Sequence, residues 1–237
     1  MARKSWVWMV AVGLIALFAP GPGSALVLGQ VCAVEKLVPS DTEAGDSVGY
    51  HVAVSADING DGLLALIGLS KDDIDGGDDE GSAWIYHFDG SEWIEEAKLI
   101  NPINGINDFF CAWGGITADV AVCGASNGSG PQADERAHVY RFDPESSEWF
   151  EEAQLRPSDP GQNDDFSYHL ALDGDVVVCG ARKHSDLGND ENGAAYVFRF
   201  DGTDWNETKL LASDPATHDH FRPRARHWRR CDRCRSP

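Results

Sequence analysis

The chain has 237 residues and a formal net charge of -20. Arg3 and Lys4 make residues 1–25 basic (+2), and seven Arg against one Asp make residues 221–237 strongly basic (+6), so the body at 26–220 carries -28. Such a body repels nucleic acid and anionic membrane and favours divalent cations, and its content of Trp, Phe and β-branched residues excludes a disordered chain.

The first segment, MARKSWVWMVAVGLIALFAPGPGSA, begins basic, runs apolar from Trp6 to Phe18 and ends in small residues and prolines. Its 13 apolar residues are too few to cross a bilayer comfortably. The pattern predicts a signal peptide over 1–25, cleaved near Ala25. The mature chain is then secreted, or held at the cell surface or in the periplasm, with no stable membrane span and in an oxidising compartment. A lipid anchor on Cys32 is disfavoured, because GQVC lacks the small residue expected just before the cysteine. Residues 26–34 read as a linker.

A repeat follows. Trp93, Trp149 and Trp205 are spaced by 56 residues, in YHFDGSEWIEEAKL, YRFDPESSEWFEEAQL and FRFDGTDWNETKLL. The pairs Cys123 and Cys179, and Phe110 and Phe166, keep the same spacing of 56. The units span 35–97, 98–153 and 154–209, and 210–237 starts a fourth. Each unit predicts four short strands. In the third, YHLALD alternates, DVVVCGA is apolar throughout as for a strand buried on both faces, AAYVFRF alternates, and WNETKLL follows the DGTD turn. Four strands joined by Gly/Asp turns are the content of one propeller blade. The fold class is all-β, and no helical periodicity is present outside the signal segment.

The chain resembles the FG-GAP repeat proteins, whose repeat builds the integrin alpha-chain N-terminal β-propeller. The Phe-Gly positions are Val48-Gly49, Phe110-Cys111 and Phe166-Ser167. The Gly-Ala-Pro positions are Gly68-Leu69-Ser70, Gly124-Ala125-Ser126 and Gly180-Ala181-Arg182. No copy keeps both signatures intact. The resemblance covers residue 35 to about 220 and implies blades of four antiparallel strands. It further implies calcium as a structural staple and ligands held on loops at one propeller face. The family propeller has seven blades, so about three blades plus a fragment leave the ring incomplete, and the isolated chain is expected to be marginally stable or aggregation-prone.

The first unit is longer: Val48 to Gly68 spans 20 residues against 14 in the next two. The extra length is DINGDG, residues 57–62. Asp57, Asn59 and Asp61 would offer side-chain oxygens and Leu63 a backbone carbonyl to a Ca²⁺ ion. The Asp that usually closes this loop in the family is Ala65 here, so the site is a weak one. The same residues also make an Asp/Asn/Gly turn that needs no metal. KDDIDGGDDEG (71–81) and SDLGNDENG (185–193) could hold Ca²⁺ loosely, but the preferred reading is a solvated turn.

Cys123 and Cys179 occupy matching strand positions and read as small buried apolar residues, while Cys32 and Cys111 are unassigned. His51 and His169 correspond, which argues for a structural role. Glu95-Glu96 and Glu151-Glu152 recur with the repeat and read as solvated strand ends. Asn127 and Asn206 head glycosylation sequons, which matter only in a eukaryotic secretory pathway. No nucleophile elbow, zinc-protease helix or phosphate loop is present, so no enzyme is expected.

The tail HFRPRARHWRRCDRCRSP offers three readings. It is a basic nucleic-acid arm, a zinc clip of Cys231 and Cys234 with His218, His220 or His227, or a frameshifted blade. Phe221 falls 55 residues after Phe166. Shifting the frame by one base after Phe221 permits F-G-R-A-L-A-I-G-G-D-V-I-V-V-G-A-P, which restores both family signatures. The frameshift is the preferred reading, so neither nucleic acid nor zinc is expected as a partner. The function expected is a secreted, non-enzymatic module for extracellular recognition or adhesion, binding a protein or polysaccharide ligand. The alternatives are a carbohydrate-binding or enzyme-associated propeller fragment and a non-functional truncated gene product.

Overall fold

The computed structural model describes residues 36–213 except 59, 61, 75–78, 103–108, 126–134, 162 and 187–190. The signal segment, Cys32 and the arginine-rich tail lie outside the described residues, which contain no helix. Three antiparallel sheets of four strands follow in chain order. The first holds β1 (Val48–Ala56), β2 (Leu63–Leu69), β3 (Ser82–Phe88) and β4 (Trp93–Ile100). The second holds β5 (Gly114–Ile116), β6 (Val120–Ala125), β7 (Arg136–Asp143) and β8 (Glu148–Leu155). The third holds β9 (Phe166–Asp173), β10 (Val176–Ala181), β11 (Ala194–Phe200) and β12 (Trp205–Leu210). These are propeller blades, three among the described residues.

The Asp-Gly turns have a local cause. Asp201 Oδ1 accepts the N–H groups of Thr203 and Asp204, each at 3.0 Å, and Asp89 Oδ1 does the same for Ser91 and Glu92. The carboxylate replaces turn partners that the backbone lacks, and so fixes each hairpin between the third and fourth strands. One residue distinguishes the third blade. WIEEAKL and WFEEAQL carry a bulge opposite Ile85/Tyr86 and Val139/Tyr140, whereas the shorter WNETKL pairs without one.

The core lies between blades. One cluster joins Leu64, Leu66, Ala83, Ile85 and Leu99 to Phe110, Ile116, Ala121 and Tyr140. The next joins Val120, Val122, Ala137, Val139 and Leu155 to Phe166, Val177, Cys179, Tyr196 and Phe198. The second strands are apolar throughout because both of their faces meet such clusters; β2 and β6 are buried along nearly their whole length. Strands β1 and β9 and the residue that leads into β5 bring His51, His169 and Trp113 together, with Trp113 at 6.2 Å from His51 and 4.5 Å from His169. Burial holds the His51 imidazole below its usual pKa, so the ring is neutral in this stack.

Candidate functional site

The best-defined polar constellation is a lysine latch that occurs twice. In the third blade Lys209 on β12 donates to Asp159 Oδ2 at 2.6 Å, to His184 Nε2 at 3.0 Å and to Asp186. His184 Nε2 therefore accepts, so Nδ1 carries the proton and donates to Asp164 at 2.6 Å. The Tyr196 hydroxyl donates to Asp159 Oδ1 at 2.8 Å. In the first blade Lys98 takes the Lys209 position, bonding Asp41 and Asp72, while Trp84 Nε1 donates to Asp41 Oδ1 at 3.1 Å. Asp159 is buried in part, which raises its pKa, but the bonds from Lys209 and Tyr196 outweigh this and hold it low. Lys209 is held high by Asp159 and Asp186 against the opposing effect of burial. Each latch ties a fourth strand to the segment that enters its blade. Ser40 and Ser158 reinforce the tie, giving N–H and hydroxyl bonds of 2.7–2.8 Å to Glu95 and Glu207.

Asp159, His184 and Asp186 bring one ligand atom each to within 4.8 Å of the others, the spacing of a metal site. The Lys209 ammonium already sits among these atoms, so a cation of the chain itself occupies the cluster, although one lysine does not cancel its carboxylates. The sequence signal for the latch is Pro-Ser-Asp, at 39–41 and again at 157–159, followed by a lysine on the fourth strand. That signal was not part of the sequence reading.

The DINGDG loop shows how Asp57 is placed. Its Oδ1 accepts the Gly60 N–H at 2.5 Å and its Oδ2 lies 3.3 Å from His87 Nε2. A Cβ at Gly62 would come within 2.7 Å of Asp57 Oδ2, so the glycine lets the carboxylate fold inward. Leu63 opens β2, paired with Ala56 and Phe88. Asn59 and Asp61 lie outside the described residues. Asp57 is thus an inward-facing oxygen donor in a turn that its own backbone closes.

Two expectations need correction. Cys123 is not an isolated buried thiol but forms a disulfide with Cys111, while Cys179 stays a free buried thiol as expected. The equivalent pair in the third blade is Ser167 and Cys179, so only the middle blade has both sulfurs. The acid pairs are also not merely solvated. Glu95 takes the Ser40 bonds and the Tyr86 hydroxyl at 3.1 Å, and Glu96 takes the Trp149 indole N–H at 2.5 Å. Glu151 meets the buried His138 at 2.6 Å, and Glu152 binds Arg141 at 2.7 Å. In the acidic loops Asp72, Glu80 and Asn192 point inward and are buried.

Glu135 caps the third blade. Its carboxylate accepts the N–H groups of Asp165 at 3.0 Å and Phe166 at 2.8 Å. Burial pushes its pKa up to about 7, the two amides pull down, and Asp165 and Asp164 push up again. Arg182 and Lys183 face Asp165 from the same corner. The folded chain binds this proton more tightly than the unfolded chain does. Its contribution to stability is full below about pH 4.5 and is lost as pH rises through about 7. Glu135→Gln is expected to flatten the decline in melting temperature across that window. Parallel declines in the two proteins would remove Glu135 as its source.

Between β8 and β12 a groove of about 300 Å³ is lined by Glu152, Gln154, Arg156, Phe200, Asp204 and Trp205, among others. No described helix is long and apolar enough to cross a membrane.

The family model described as "FG-GAP repeat" matches residues 33–86 and 149–198, the first and third units. The chain carries FG-GAP repeats. No curated protein matches it significantly. Among solved structures, the crystal structure of Saccharomyces cerevisiae Sqt1 is similar at 11% identity and a TM-score of 0.41. That match covers 69% of this chain but only 35% of Sqt1.

The FG-GAP signatures have a physical basis here, even where their letters have changed. The Gly of Phe-Gly sits at positive φ in all three blades: 77° at Gly49, 56° at Cys111 and 61° at Ser167. Only glycine takes this conformation freely, so Cys111 and Ser167 are held there by other bonds. Cys111 has its disulfide, and the Ser167 hydroxyl donates to the Arg136 carbonyl at 2.7 Å. The Gly of Gly-Ala-Pro explains the other half. A Cβ at Gly68 would meet the Cys111 carbonyl at 2.4 Å, and one at Gly124 would meet that of Ser167 at 2.6 Å. Each FG-GAP glycine therefore seats the Phe-Gly turn of the next blade.

Proposed function

We propose that this chain is an exported, non-enzymatic FG-GAP module that recognises an extracellular ligand through loops at one end of its blades. One observation carries the reading. Much of the charged chemistry among the described residues is spent inside the blades: Lys98 and Lys209 are held by carboxylates, and His138 and His184 are buried against carboxylates. What is left for recognition is the loops between the second and third strands, which are acidic in sequence in the first and third blades. The disulfide supports export, since such bonds persist in oxidising compartments. The inward carboxylate of Asp57 supports a calcium role for the DINGDG loop, in which Asn59, Asp61 and the Leu63 carbonyl would complete the oxygen set. Calcium there would brace β1 against β2 and do no chemistry.

A second reading rests on the β8–β12 groove. Trp205 and Phe200 offer aromatic surface beside Glu152, Gln154 and Asp204, a lining that suits a sugar ring and its hydroxyls. One experiment separates the two. The chain and its Asp61→Ala variant are passed over immobilised extracellular-matrix proteins and over polysaccharides, with calcium and with chelator. Retention on protein that chelator and Asp61→Ala both weaken supports the calcium-braced adhesion module. Retention on polysaccharide regardless of calcium favours the groove. Retention on neither removes both.

A further inference from the structure

The two ends of the blade stack are complementary, and we propose that they associate head to tail between two copies of this chain. The argument comes from positions that the repeat makes equivalent. Val54, Ile116 and Leu172 hold the same place on the innermost strands, opposite Ala65, Ala121 and Val177. Ile116 is 6% exposed, buried against Leu64, Leu66 and Ile85 of the preceding blade, and Leu172 packs on Val120, Val122 and Val139 in the same way. Val54 has no described blade before it and is 55% exposed, with Val52 at 42% and Tyr50 at 58% on the same strand.

The other end shows the reverse. Leu99, Leu155 and Leu210 are equivalent, opposite Ala83, Ala137 and Ala195. Leu99 and Leu155 are 3% and 4% exposed, each closed over by the next blade, whereas Leu210 is 40% exposed. Val176 and Val178, which match Leu64 with Leu66 and Val120 with Val122, are half-buried on the same face.

The β10 face of one copy thus offers what the exposed β1 stripe of another lacks; beside that stripe Ala65, Ile67, Leu69 and Tyr86 are already buried with Leu37, Val48 and Trp84, so the contact would run along β1. The polar rim agrees. Arg141 stacks on Phe200 of the next blade at 4.9 Å and reaches Asp175 there at 3.1 Å. Arg199 is its equivalent on the open face and is exposed. Across a head-to-tail junction it would face Phe88, the equivalent of Phe200 in the first blade. The contact is heterologous: one end of a copy meets the opposite end of another.

Sedimentation equilibrium of the full chain tests this, with Val52→Lys disabling one end and Leu210→Lys the other. The wild type is expected to gain mass reversibly with concentration. Each variant alone is expected to stay at monomer mass. An equimolar mixture is expected to recover a dimer, because one intact end of each kind remains; that recovery also shows that both variants fold. A wild-type monomer at every concentration overturns the proposal, and hydrogen-exchange protection of β10 and β12 in that monomer would assign the face to residues 214–237 instead. Association that persists in the single variants, or no dimer in the mixture, overturns it as well.

Discussion

Replacing Phe166 with alanine is expected to remove about 3–5 kcal/mol of stability, the usual cost of deleting a fully buried aromatic ring. Phe166 is the aromatic residue of the third Phe-Gly position and is fully buried. Its ring meets Tyr196 and Phe198 nearly edge-on, with centroids 5.8 and 6.2 Å apart, an arrangement that adds to plain burial. The ring also closes onto Val120, Val122 and Val139 of the blade before it. The cavity would therefore open at a junction between two sheets. Relaxation there means moving one blade against another, and the adjacent Glu135 cap and the seat of Ser167 on Gly124 resist that. Since whole domains are stable by only about 5–15 kcal/mol, the variant is expected to lose most of its cooperative transition. Urea unfolding followed by tryptophan fluorescence measures this. A loss below about 1 kcal/mol would mean that the junction does not carry the fold.

The blades were legible because a period of 56 residues constrains every copy at once. Alternation, apolar runs and Asp-Gly turns gave four strands per unit, and all three sheets are built that way. The Phe-Gly positions were legible even with Cys111 and Ser167 in place of glycine, because alignment fixes backbone conformation better than identity does. Repetition also misled. Treating Cys123 as the twin of Cys179 hid the disulfide, since the partner position is Cys in one blade, Ser in another and Gly in the first. Treating the recurrent glutamates as solvent-facing overlooked that a recurrent charge can have a recurrent partner. Ser40 and Ser158 enter their blades at the same point and meet Glu95 and Glu207 identically. Long-range polar pairs of this kind leave no periodic trace in hydropathy, so only the repeated Pro-Ser-Asp could have signalled them.

Converting Cys111 to serine turns the middle blade into a copy of the third at these positions, and is expected to cost about 2–4 kcal/mol. The bond spans 12 residues of sequence and joins the Phe-Gly turn to the centre of β6. Opening it frees that loop in the unfolded chain and leaves residue 111 at positive φ without its covalent restraint. Both sulfurs are fully buried, so a reductant is expected to act only after local opening, and slowly on the folded chain. Cys179 supplies the control. Its thiol is fully buried, which raises its pKa and keeps it unreactive, so blocking reagents should leave Cys179 unlabelled in the native protein. The reverse change makes the argument sharper. Ser167→Cys places a sulfur where Cys111 stands in the middle blade, with Cys179 where Cys123 stands. A second disulfide is expected, seen as the loss of the Cys179 thiol from alkylation of the denatured, unreduced chain. The gain should be smaller than the loss in Cys111→Ser, because the Ser167 hydroxyl bond to the Arg136 carbonyl is given up. A free Cys179 in that variant would mean that the third blade's Phe-Gly turn does not superpose on the second, and that the equivalence of the blades stops short of their turns.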